Sequence, residues 1–105
     1  MDVFRLDDWL IGEYAKFSRS FVQIRSEEIR GKVDAGYYNP RPVNVSRAHA
    51  SKPGAELQVF IELRDTGYPG STYTLVYNPD KDLLLGIYYQ AAQDKNYNVV
   101  FIRMK

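Results

Sequence analysis

The chain reads as an α+β protein: a long N-terminal helix, able to kink, followed by a five-stranded antiparallel meander or partial barrel. Three observations predict this. Residues 1–36 carry apolar side chains at helical spacing with few breakers. Residues 43–104 alternate apolar and polar side chains in short bursts cut by Gly, Pro, Asn and Asp. Between them, Tyr37-Tyr38-Asn39-Pro40-Arg41-Pro42 holds two prolines that favour extended backbone and bar a helix from continuing. The expected division is a helical arm over 1–36, a connector over 37–42 and an antiparallel sheet over 43–105, all in one folding unit.

Asp2 can cap the arm, and Asp7 and Asp8 suit the positive end of its dipole. Val3, Leu6, Leu10, Phe17, Phe21 and Ile24 step by three, four or seven residues and mark one stripe. Phe4, Trp9, Ile11, Tyr14 and Val22 widen it. Gly12 is a place for a kink and Gly36 a place for the helix to stop. A straight helix over 2–35 would be roughly 50 Å long. Five short strands cover only about 20–25 Å. Part of the arm's apolar face is therefore expected to meet another chain, unless the arm breaks at Gly12 or near Ser18–Ser20.

Val43–Ala50 is the weakest strand. Ser51-Lys52-Pro53-Gly54 is a turn. Ala55–Arg64 is the strongest strand, with Leu57, Val59, Ile61 and Leu63 on one face. Ser71–Tyr77 follows, then a hairpin loop at Asn78-Pro79-Asp80-Lys81-Asp82. Leu83–Gln90 and Tyr97–Met104 complete the meander, with Ala91–Asn96 as their connection. No internal repeat stands out.

Length and composition bound the function. A chain of 105 residues with 45% hydrophobic content supplies one globular domain. Without cysteine there is no disulfide and no thiolate ligand or nucleophile. Fourteen basic and 13 acidic side chains leave a charge of +1, which predicts no general attraction to nucleic acid or anionic membrane. No apolar run reaches the ~20 residues of a membrane span. The start, MDVFRLDDWLIGEY, is acidic and lacks the apolar centre of an export signal. A soluble cytoplasmic protein is expected.

Little in the chain points to catalysis. His49 is the only histidine, which argues against a histidine metal site. Asn78, Asp80 and Asp82 alternate as calcium ligands do, but an EF-hand loop begun at Asn78 would need Gly and Glu where Leu83 and Tyr89 stand. Asp65, Asp80, Asp82 and Asp94 sit at turns, where acidic residues are common. No nucleophile elbow, Walker loop or dinucleotide fingerprint is present. No catalytic residue, metal or cofactor is assigned, and a non-enzymatic protein is expected.

Two stretches resemble known families. MDVF, Tyr14, SFVQIR at 20–25 and Ile29-Arg30 resemble the N-terminal helix of large bacterial DEAD/DEAH-box helicases of phage-defence systems. The ATPase and helicase motifs of that family have no counterpart here. ELRDTGYPGSTYTLVYNPDKDLLLGIYYQA and the closing VVFIR resemble a lipocalin-like small β-barrel of uncharacterised bacterial proteins. That resemblance implies holding a small hydrophobic or polar ligand. Five strands are fewer than such a barrel needs, and a second copy would complete it.

Three functions follow as expectations. The first is an interaction or accessory module, a homo-oligomer or protein-partner binder, anchored by Trp9, Tyr14, Phe17 and Phe21 on the arm. The second is binding of an apolar or aromatic small molecule by Tyr73, Tyr77, Tyr89 and Phe101. The third, disfavoured by the near-neutral charge, is stacking of single-stranded nucleic acid on Tyr88 and Tyr97 with Arg64 and Arg103.

Overall fold

The computed structural model describes residues 12–16, 20–29, 32–52 and 56–104. Every regular element among them is a strand: β1 Gly12–Lys16, β2 Ser20–Ile29, β3 Lys32–Tyr38, β4 Pro42–Val43, β5 Val45–Ser51, β6 Leu57–Asp65, β7 Tyr68–Asn78, β8 Leu83–Gln90 and β9 Lys95–Arg103. Each strand pairs antiparallel with its sequence neighbour, β4 and β5 share one place in the wall, and β9 pairs back onto β1. The result is a closed barrel of eight antiparallel strands.

The expected α+β class and the N-terminal helix are thus corrected: the described part of residues 12–36 is β1, β2 and β3. The physical reason lies in which side chains the interior takes. Tyr14, Val22, Ile24, Val33, Ala35 and Tyr37 are buried, and within each strand they alternate with outward neighbours. Phe21 lies on the outer face, where its ring stacks on Tyr38 at 4.5 Å, so the Phe21–Ile24 spacing that suggests a helix joins opposite faces of one strand. Gly36 ends no helix; it pairs with Gln23 in mid-strand. The helix start over 2–11 and the Pro53-Gly54 turn lie outside the described residues. The expected half barrel awaiting a second copy is also replaced, because β1 to β3 supply the missing wall from the same chain.

Over 57–103 the alternation read from the sequence sets the strands. Leu57, Val59, Ile61 and Leu63 point inward from β6, and Ser71, Tyr73, Leu75 and Tyr77 from β7. Leu84, Val99 and Phe101 complete the interior from β8 and β9. Burial of each large side chain contributes about 1.5–3 kcal/mol. Eight strands leave an inside just wide enough for side chains to fill, and here Tyr73, Leu75, Leu84 and Phe101 occupy it with at most 1% exposure. Gly86 lies opposite Leu75 on β7, where a Cβ would run into the backbone of Thr74 and Leu75. Its lack of a side chain lets the sheet coil tightly there.

Antiparallel order sends the β3–β4, β6–β7 and β8–β9 connections to one end of the barrel and the β7–β8 loop to the other. The first will be called the lysine end and the second the arginine end, after the interior cation at each.

Candidate functional site

Both ends place a cation on the inward face of the wall. At the arginine end Arg103 sits across from Tyr14 in the β1–β9 pairing. Its Nε donates to both oxygens of Asp82 at 2.8 and 2.7 Å, its Nη2 donates to Tyr14 Oη at 2.6 Å, and the guanidinium lies 4.7 Å from the Tyr14 ring centre. Tyr77 Oη also donates to Asp82, at 2.6 Å. Burial pushes the Tyr14 hydroxyl well above the usual tyrosine range, which the Arg103 charge opposes. This end is a satisfied plug.

The lysine end is different. Lys16, the last residue of β1, is half-buried, with Nζ 5.3, 5.2 and 5.9 Å from the ring centres of Tyr73, Tyr88 and Phe101. It donates to Tyr73 Oη at 2.9 Å. No carboxylate pairs with it among the described residues, and burial lowers its pKa. An ammonium can only donate, so Tyr73 must accept and pass its own proton to Tyr37 Oη, 3.0 Å away. At the same end the Ser20 hydroxyl donates to Asn39 Oδ1 at 2.8 Å. Asn39 Nδ2 donates to Tyr68 Oη at 3.0 Å. One directed chain therefore runs from Lys16 on β1 through Tyr73 on β7 to Tyr37 on β3, and a second links Ser20 on β2 through Asn39 to Tyr68 at the start of β7. Burial raises the pKa of Tyr73, Tyr37 and Tyr88 and keeps these hydroxyls protonated.

The loops flanking β8 explain the difference between the ends. Tyr77-Asn78-Pro79-Asp80-Lys81-Asp82 and Tyr89-Gln90-Ala91-Ala92-Gln93-Asp94 follow one plan. In each, an amide side chain accepts from the backbone N–H three residues later, at 3.1 Å for Asn78 and 3.0 Å for Gln90. Each ends on an Asp in the left-handed region, with φ of 55° and 51°, whose carboxylate accepts from the Tyr five residues earlier. Tyr77 points inward and brings Asp82 to Arg103. Tyr89 sits in the other phase of the pleat, so Asp94 is held outside and does not reach Lys16. The Tyr-amide-x-x-x-Asp pattern is visible twice in the sequence.

The wall itself opens beside β3. Asn44, between β4 and β5, is drawn toward the β6–β7 corner: its N–H donates to Asp65 Oδ2 at 2.8 Å, its Nδ2 donates to the Arg64 carbonyl at 3.1 Å, and its carbonyl accepts from Arg64 N–H at 3.0 Å. The β3 ladder with this strand is then interrupted. Tyr37 and Tyr38 pair with Val43 and Pro42, Lys32 pairs with His49, and no described pair joins the strands between. A groove of about 520 Å³ occupies the break. Arg25, Asp34, Asn44 and Asp65 line it together with Val43 and Val45, and more of its exposed lining is polar than apolar. Arg25 and Asp34 meet at 3.0 Å, and that contact holds the Asp34 carboxyl below its ordinary pKa.

The residues expected from sequence fall as follows. Trp9 and Phe17 lie outside the described residues. Tyr14 is buried in the plug, and Phe21 lies half-buried on Tyr38. Tyr73, Tyr77 and Phe101 all face the interior, with Tyr73 and Phe101 in edge contact at 5.2 Å, while Tyr89 is on the outer face. Tyr88 and Tyr97 stack at 6.4 Å at the lysine end. Arg64 lies outside beside Glu62, and Arg103 is at the other end in its ion pair, so the structure does not gather the two tyrosines with the two arginines. Lys16, Tyr37 and the Asn44 break were not anticipated. A lysine on the inward phase of a strand is the signal that could have revealed Lys16.

Among the described residues no three potential metal ligands of the His, Cys, Asp or Glu types cluster, and no helix is long and apolar enough to cross a membrane. No protein-family model, curated protein or solved structure matches this chain.

Proposed function

We propose that this barrel binds a small apolar or aromatic molecule in the groove between β3 and β4–β5. The groove's volume of about 520 Å³ carries the reading: it lies within the range of small-molecule sites, with Val43 and Val45 to meet an apolar body and Arg25, Asp34, Asn44 and Asp65 to orient it. The resemblance of residues 41–105 to lipocalin-like barrels supports it, with one change. Such barrels hold ligands inside; here the described side chains fill the inside, and the broken ladder moves the available space into the wall. The long helical arm that motivated an interaction module is replaced by strands, so that reading loses its basis. The role proposed is binding, with no bond-making step.

A ligand-observed NMR screen of small aromatic and aliphatic compounds tests the proposal. Hits should shift the backbone amides of Ala35, Gly36, Val43 and Val45. Val43→Trp, which fills the groove from a half-buried position, should abolish binding and leave the fold intact. Hits that survive Val43→Trp, or a screen without hits, would overturn it.

A further inference from the structure

We infer that Lys16 forms a second, separate site, which takes the carboxylate of a small aromatic or apolar acid at the lysine end. The inference does not rest on the wall groove. Lys16 is a half-buried cation with no carboxylate partner among the described residues, whereas its counterpart Arg103 is fully matched by Asp82 and Tyr14. A desolvated charge is costly until something of opposite sign meets it. The hydrogen-bond chain through Tyr73 and Tyr37 uses one of the three N–H donors of Lys16 and orients a tyrosine lone pair toward it, which favours the charged form. Among the described residues nothing else accepts from Lys16, and the remaining donors can serve an anion.

The surroundings select the rest of the ligand. Tyr73 and Tyr88 stack at 4.5 Å, and Tyr97 continues the series to a ring that is 44% exposed. Access follows from exposure: Tyr97 is exposed, and Lys16 and Tyr88 are each partly exposed, so the cation and two of the rings reach solvent at this end. A carboxylate can reach Lys16 there while an aromatic or aliphatic body lies along Tyr88 and Tyr97.

The test compares 3-phenylpropionate with the neutral 3-phenylpropanol by NMR titration on the whole chain at pH 7. The acid should bind about tenfold tighter, the factor that about 1.4 kcal/mol of charge-assisted hydrogen bonding supplies. Lys16→Met should bring the ratio to about one, and Lys16→Arg should retain the preference. In the wild type, needing no variant, the preference should fall as pH rises through the lowered pKa of Lys16, with shifts centred on Tyr88, Tyr97 and Val99. Val43→Trp should leave all of this unchanged, which separates the site from the groove. Equal affinity for acid and alcohol, absence of binding by both, or a preference that persists in Lys16→Met would overturn the inference.

Discussion

The two ends of the barrel solve the same problem differently. Each carries a long basic side chain on an inward position, and each is flanked by a hairpin loop of the same design. At the arginine end the phase of Tyr77 delivers Asp82 to the cation, and two tyrosine hydroxyls complete the set. At the lysine end the phase of Tyr89 holds the equivalent Asp94 outside, and among the described residues the cation meets aromatic rings and a hydroxyl. A one-residue difference in pleat phase decides whether an acidic loop residue becomes a structural counter-ion. The matched end is expected to contribute stability. The unmatched end is expected to contribute recognition.

Asp82→Ala breaks this comparison most severely. It should destabilise the barrel by about 2–3 kcal/mol in urea denaturation, less than for a deeply buried pair because both groups keep some contact with water. Pairing Asp82→Leu with Arg103→Met should recover most of the loss, since an apolar pair carries no desolvated charge. Full stability of Asp82→Ala would show that the plug is ornamental. Gly12→Ala should cost about 1–2 kcal/mol. The residue sits at φ +149°, and its new Cβ would displace the Arg103 guanidinium. No such penalty would mean that the guanidinium has room to move.

The smallest effect concerns alkaline pH. Lys16 has a lowered folded pKa, so the unfolded chain holds that proton longer and the term raises stability with pH until the unfolded lysine also titrates. Tyr14, Tyr37, Tyr73 and Tyr88 have raised folded values, so their terms lower stability once pH passes the unfolded tyrosine value of about 10. Denaturation between pH 8 and 11 should therefore show a fall above about pH 10 that is steeper in Lys16→Met, which lacks the lysine term. The difference should be the smallest of these effects, because Lys16 keeps part of its contact with water. Identical profiles for the two proteins would place Lys16 in a more watery setting than its cage of rings implies.

The second half of the chain was legible because its strands are long and their alternation is clean. Leu57, Val59, Ile61 and Leu63 alternate with Gln58, Phe60, Glu62 and Arg64 within the nine-residue β6, and the pattern has no helical reading. The first half was misread for identifiable reasons. β1 is five residues long, and its inward positions are Gly12, Tyr14 and Lys16, of which only one is strongly apolar. In β2 an outward Phe21 beside inward Val22 and Ile24 gives a run that matches both periods. β3 does alternate, as Val33, Ala35 and Tyr37 against Lys32, Asp34, Gly36 and Tyr38, but the glycine was read as a helix stop. The site was less legible still. The groove depends on Asn44 bonding a loop 20 residues away, and the Lys16 cage depends on rings from β7, β8 and β9 meeting the end of β1. Neither is a local property of the sequence.

Among the described residues the seam between β1 and β9 is held by the pairs Tyr14 with Arg103 and Ala15 with Ile102 and by the Met104 N–H donating to the Glu13 carbonyl at 2.6 Å, all drawn from opposite extremes of the described chain. Contacts of such sequence separation form late and slow a fold. During synthesis the growing sheet therefore exposes an unpaired edge on β8 until residues 95–103 have been made, and another on β1 until they dock. A ribosome stalled before that point would release a curved ribbon with two sticky margins, prone to pair with its neighbours. Pairing of β9 with β1 is what removes both margins at once.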